Sequence, residues 1–125
     1  IHLVVQLVTG SPWRRYDPIQ HELATIPCSE HLAEAARNAA CQLVAGSGAC
    51  LLGLVAEHGM TAAKYEAYCS LVWRDTGVIL GYLSILAEAL NLNFCPLGIT
   101  GDQSLRPLDE EGRLHGVGLA LLGAR

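Results

Sequence analysis

The chain carries its positive charge on seven arginines and a single lysine, Lys64. Lys64 stands in Thr61-Ala62-Ala63-Lys64-Tyr65, where Thr61 reads as the N-cap of a long helix. Lys64 then falls at the third helical position and faces the positive end of the helix dipole, at a cost of about 0.3–1 kcal/mol. A locally unfavourable charge is one mark of a functional site. The same field, added to burial, would lower the lysine pKa and make it a base. The Tyr65 hydroxyl beside it can donate or accept. The commoner arrangement is an exposed helix lysine next to a core tyrosine, and arginine-favouring codon usage accounts for a lone lysine just as simply.

A second stretch, Cys95-Pro96-Leu97-Gly98-Ile99-Thr100-Gly101, is shaped by glycine and proline and can offer backbone N–H and C=O groups to a ligand. It is not a G-x-G-x-x-G fingerprint, and many helix–loop–strand connections look alike. Arg14, Arg15, Arg74, Arg106, Arg113 and Arg125 could each clamp a phosphate through two N–H groups, though a solvated surface role is commoner. His21 and His31 lack partners at a recognisable spacing and read as structural. No nucleophile elbow, zinc-protease helix, Walker loop or paired-carboxylate motif stands out. The five cysteines, Cys28, Cys41, Cys50, Cys69 and Cys95, form no C-x-x-C pair and show no zinc spacing. Most lie among Ala, Leu and Val and read as small hydrophobes, which suggests a reducing, cytoplasmic setting.

These groups need a scaffold. Ile1–Val8 reads as a strand, and Arg15–Ile26 as two short extended pieces around an Asp17-Pro18 turn. Ser29 is the expected N-cap of a helix over Glu30–Leu43, stopped by Gly46 and Gly48. Ala49–Ala56 reads as a buried strand and Glu57–Gly59 as a loop. The long helix after Thr61 should run to Leu90, with Tyr68, Leu71, Val72, Ile79, Leu83 and Leu86 on its apolar face. Gly77 and Gly81, four apart, permit close approach of a helix or a flat ligand, or are simply tolerated. Asn91–Gly101 reads as a loop, with Cys95 extended because proline follows. Gly116–Gly123 reads as the last strand. The pattern is an α+β fold.

Length and composition bound the rest. At 125 residues the chain forms one domain, 1–125. With 51% hydrophobic and 16% charged residues it is not intrinsically disordered. Charged residues usually make up about 25% of a soluble domain, so apolar surface is expected to be buried against another chain or a ligand. A net charge of −4 and no basic run leave no footprint for nucleic acid. No signal peptide is recognisable, and a strand-like start at Ile1 suggests a fragment, a processed piece or half of a split protein. The longest apolar run, Gly77–Leu90, contains Glu88 and reads as too short to span a bilayer.

Taken together, Lys64-Tyr65, Ala67-Tyr68, Asp75-Thr76-Gly77, LSILAEALNLNFCPLGITG and the closing GVGLALLGAR resemble the C-terminal part of the nitroreductase superfamily. More narrowly the chain resembles azoline dehydrogenases of the streptolysin S and cyanobactin (SagB/ThcOx) type, and IHLVV and RYDPIQHEL resemble the strands that precede that core. The resemblance covers nearly the whole chain. It implies a central antiparallel-type sheet flanked by helices, FMN as cofactor, and a homodimer with the flavin at the interface. It places Pro96, Leu97 and Gly98 beside the isoalloxazine ring and Arg125 at the phosphate. It implies oxidation of thiazoline or oxazoline rings in a peptide natural product to thiazole or oxazole. FMN would accept the hydride and dioxygen would reoxidise it; Lys64 would take the proton and Tyr65 would position or assist. The Ser/Arg-rich segment that usually grips the FMN phosphate has no counterpart before Ile1, so a longer chain or a partner would supply it, or flavin binding has been lost. Cys69 stands where the family carries an arginine after Tyr68, and Asn91 where it carries a glycine. Two alternatives are an NAD(P)H-dependent nitroreductase-like flavoenzyme and a non-catalytic dimeric scaffold.

Overall fold

A computed structural model describes residues 1–27, 29–45 and 48–125; Cys28 and Gly46 lie outside the described residues. The β-branched N-terminal run forms β1 (His2–Gln6), and the Asp17-Pro18 turn joins β2 (Arg14–Asp17) to β3 (Glu22–Thr25). Asp17 Oδ1 accepts from the backbone N–H groups of Ile19 and Gln20, a side-chain turn of the kind aspartate favours. α1 (Glu30–Leu43) follows, then β4 (Cys50–Glu57), α2 (His58–Ala62) and α3 (Tyr68–Ala89). β5 (Leu92–Pro96), α4 (Asp102–Leu105), a 3-10 turn (Arg106–Leu108) and β6 (Leu114–Ala124) complete the chain. All six strands pair antiparallel, in the order β3-β2-β1-β4-β6-β5.

The sheet is packed on both faces, so β4 and β6 read as continuous apolar runs. On one face α1 presents Ala33, Ala36 and Ala40, all fully buried, to Val4, Leu51, Val55, Leu119 and Leu121. Alanines at this spacing let the helix lie close to the strands. Trp13 and Leu105 fill the gaps beside it. On the other face α3 alone crosses the sheet and buries Val72, Thr76 and Ala87.

Several expectations change. Ser29 precedes α1 but makes no capping bond. It is buried instead: its Oγ accepts from Trp13 N–H at 2.9 Å and donates to the Ile26 carbonyl at 2.7 Å, tying the start of β2 to the chain before α1. Asn91–Gly101 is not all loop, because Leu92–Pro96 pairs with Ala120–Ala124 as an edge strand, where a proline is tolerated. Cys95 is extended, as the following proline requires. The four described cysteines are exposed or half-buried rather than core residues. The long helix starts at Tyr68 rather than after Thr61, and it has 22 residues with a mean hydropathy of 1.2. By length and composition this helix, longer than the Gly77–Leu90 run, could cross a membrane; in this fold its inner residues lie on the sheet.

Candidate functional site

The antiparallel register sorts the functional candidates by the end of the sheet they occupy. β4 ends where β6 begins, with Glu57 opposite Leu114. β5 ends on the same side, with Pro96 opposite Ala120 and Leu97 N–H donating to the Leu119 carbonyl. α2, Lys64, Tyr65 and the Pro96–Gly101 segment therefore share one end. Arg125, which follows Ala124 opposite Leu92, lies at the other. Six residues of extended chain, Leu119 to Arg125, put it about 20 Å from the Leu97 level.

Lys64 does not sit in the first turn of a helix. Thr61 lies inside α2, Ala63 caps its C-terminus, and Lys64 and Tyr65 both donate their backbone N–H to the Thr61 carbonyl in the following turn. The dipole argument therefore reverses, since a cation past a helix C-terminus is favoured. Burial is absent as well: Lys64 and Tyr65 are both exposed.

Pro96 and Gly98 are exposed and Leu97 half-buried. A side chain added at Gly98 would meet nothing within 4 Å, so its backbone is open to a flat ligand. A cavity of about 580 Å³ runs along the β5–β6 ladder from Cys95 to Ala124, walled by Val44, Ala49, Phe94 and Leu121. That volume falls within the usual range of small-molecule sites. Neither Lys64 nor Tyr65 lines it. Arg125 turns away to pair with Glu88 and to donate to Asn91 Oδ1 at 3.2 Å. It borders a second cavity of about 420 Å³ with Ile85 and Phe94.

Pro96, Leu97, Gly98 and Arg125 do not line that cavity, although Cys95 and Ala124, which do, immediately precede Pro96 and Arg125 in the chain. Arg125 is paired with Glu88, so it could hold an anion only by leaving that carboxylate.

The most densely connected polar cluster was not visible in the sequence. It occupies the Lys64 end. β6 carries an extra residue, Val117, where Leu54 and Val55 pair with Gly118 and Gly116. This bulge re-aims the strand. Gly116 N–H donates to Asp102 Oδ1 at 2.8 Å, and a Cβ at Gly116 would stand 2.7 Å from the Asp102 backbone. Gly101 turns the chain into α4 with φ +72°, and a Cβ there would strike Leu119 at 2.7 Å. Arg106 reaches Asp102 Oδ2 at 2.5 Å and His115 Nδ1 at 3.1 Å. The His58 and His115 rings stack at 4.6 Å and 19°, and His58 meets Tyr68 edge-on at 5.7 Å. Partial burial alone would raise the Asp102 pKa, but the Gly116 N–H and the Arg106 guanidinium together hold it below the usual carboxylate value. Partners 14 and 57 residues apart leave no local spacing signal.

Arg37 was also missed. It is buried in α1, where Nε donates to Gln6 Oε1 at 2.7 Å and Nη1 to the Ala49 carbonyl at 2.9 Å. Its role is structural. Of the histidines read as structural, exposed His21 contacts the Tyr16 hydroxyl at 2.8 Å, and His31 is exposed on α1. Among the described residues no cluster could hold a metal ion. The chain matches no protein-family model and no curated protein.

Proposed function

We propose that this chain is the core of a cytoplasmic, homodimeric, FMN-dependent oxidoreductase of the nitroreductase type, acting as an azoline dehydrogenase on peptide substrates. The observation that carries this reading is the cavity along β5–β6, whose lining residues Cys95 and Ala124 immediately precede Pro96 and Arg125 in the chain. FMN bound there would supply a hydride acceptor for the heterocycle. The Pro96–Gly98 segment would lie against the ring, and the backbone N–H of Gly98, whose surroundings are open, would tune it by hydrogen bonding. Arg125 would exchange Glu88 for a phosphate, a fork geometry that suits either anion. Lys64 would take the ring proton, and Tyr65 would position or assist through its hydroxyl. Both stand at the end of the sheet to which Pro96–Gly98 belongs. Their exposure suits a site closed by a second chain or by the peptide itself.

The dimer is supported by α3. Trp73, Val78, Tyr82, Ile85 and Leu86 are all at least half exposed on its outer side. An apolar strip of this size on a soluble protein marks an interface.

A non-catalytic dimeric scaffold is the second reading. It is favoured by Arg125 being neutralised by Glu88 and by Lys64 and Tyr65 being exposed and outside the cavity. The test is turnover of a thiazoline-containing peptide by FMN-loaded protein, compared with Lys64→Ala. The azoline reading expects the variant to lose at least about a hundredfold in kcat, the scale of a lost general base. Turnover of NAD(P)H with a quinone, unchanged in Lys64→Ala, would replace it with a nitroreductase-like activity. No turnover of either substrate would leave the scaffold.

A further inference from the structure

We propose that the stacked imidazoles of His58 and His115 form a pH-sensitive latch that holds α2, and with it the Lys64–Tyr65 turn, against the Asp102–Gly116 corner at neutral pH and releases it in mild acid. His58 opens α2, while His115 belongs to β6 on the far side of the contact. The chemistry at His115 is fixed by its partner. A guanidinium only donates, so the 3.1 Å contact from Arg106 requires His115 Nδ1 to accept, which only the neutral ring can do. A proton at Nδ1 breaks that bond and points N–H at a cation. The nearby Asp102 Oδ1 is 3.8 Å away and already accepts from Gly116 N–H.

His58 is constrained from every side. His115 stacks on one ring face, Tyr68 of α3 meets the ring edge-on, and the Asp102 carboxylate of α4, itself paired with Arg106, acts on it electrostatically. Glu57 precedes it and pairs with Arg113. His58 Nε2 is buried and has no hydrogen-bond partner among the described residues. A proton there would be an unsatisfied buried donor, at the cost such groups carry. Two imidazolium rings stacked at 4.6 Å would also repel.

The electrostatics agree with the geometry. Partial burial first and His115 second push the His58 pKa below its ordinary value, and Asp102 only partly opposes them. A histidine lowered in the closed state favours that state fully above the ordinary value of about 6.5, and the contribution is lost as pH falls from there through the lowered value. Release of α2 frees the turn that carries Lys64 and Tyr65. Its bearing on catalysis rests on the function proposed above; the latch itself does not.

Hydrogen exchange of the whole chain, corrected for intrinsic rates and compared at pH 7.5 and 5.5, tests the latch without any substrate or flavin. Peptides covering residues 57–67 should lose more than about twofold in protection at the lower pH, because the lowered His58 favours the closed state less there, while β4 residues 51–56 keep theirs. His58→Phe keeps an aromatic stack without a titratable nitrogen, and its change should be less than twofold. An unchanged wild-type protection factor, or the same loss in His58→Phe, overturns the proposal. Ring resonances of His58 in the wild-type chain give the answer even if the variant fails to fold: a titration midpoint below the ordinary value, tracking the loss of protection, supports the latch, and a midpoint at or above that value overturns it.

Discussion

The two faces of the sheet are built from similar apolar strands but are finished differently. On one face, α1, α4 and Trp13 close the core, and the buried side chains form one large cluster. On the other, a single helix lies across two smaller clusters and leaves Trp73, Val78, Tyr82, Ile85 and Leu86 exposed. The first face is a completed layer. The second is completed only if something covers α3. The same residue types thus serve folding on one side and association on the other. The composition foretells the excess but not its address.

Substitutions can sharpen that contrast. The largest effect is expected on the closed face. Trp13 is fully buried, and Trp13→Ala should cost about 3–5 kcal/mol in urea unfolding, as large-to-small changes in packed cores do. Arg37→Met should follow at about 2–4 kcal/mol, because it strands Gln6 Oε1 and the Ala49 carbonyl beneath α1. Gly101→Ala should lower stability by about 1–3 kcal/mol, since it combines a left-handed φ with a collision at Leu119. The open face should behave oppositely. Ile85 is 68% exposed, and Ile85→Glu should change the stability of the isolated fold by less than about 0.5 kcal/mol. Sedimentation should nevertheless show that it converts a dimer to a monomer. A wild-type monomer, or a large stability loss in Ile85→Glu, would erase the distinction between the faces.

Legibility in the sequence follows range. α1 could be read to the residue, because Glu30–Leu43 carries its period and its stops locally. The β2–β3 hairpin was legible through Asp17-Pro18. The break at residues 63–67 was not, because an apolar helical period continues through it and Thr61 imitates a cap. That error placed Lys64 at the wrong end of a helix and gave it a field it does not have. β5 was hidden by Asn91, Asn93 and Pro96, residue types that signal loops until the edge position of the strand is known. Arg37 and the His58–His115–Asp102 cluster depend on partners 12 to 57 residues away, so no window of local sequence could hold them. Lys64-Tyr65 and Pro96–Gly98 were singled out from sequence, and the fold brings them to one end of the sheet; Arg125, singled out with them, stands at the other.

The central claim, that the β5–β6 cavity is a flavin site, is tested most directly by a visible absorption spectrum of the purified protein after FMN is added and the excess removed. The account predicts a retained flavin band near one per chain, weakened at least about tenfold in affinity by Arg125→Ala, the loss of one charge-assisted contact. A colourless protein that releases all added FMN would contradict it.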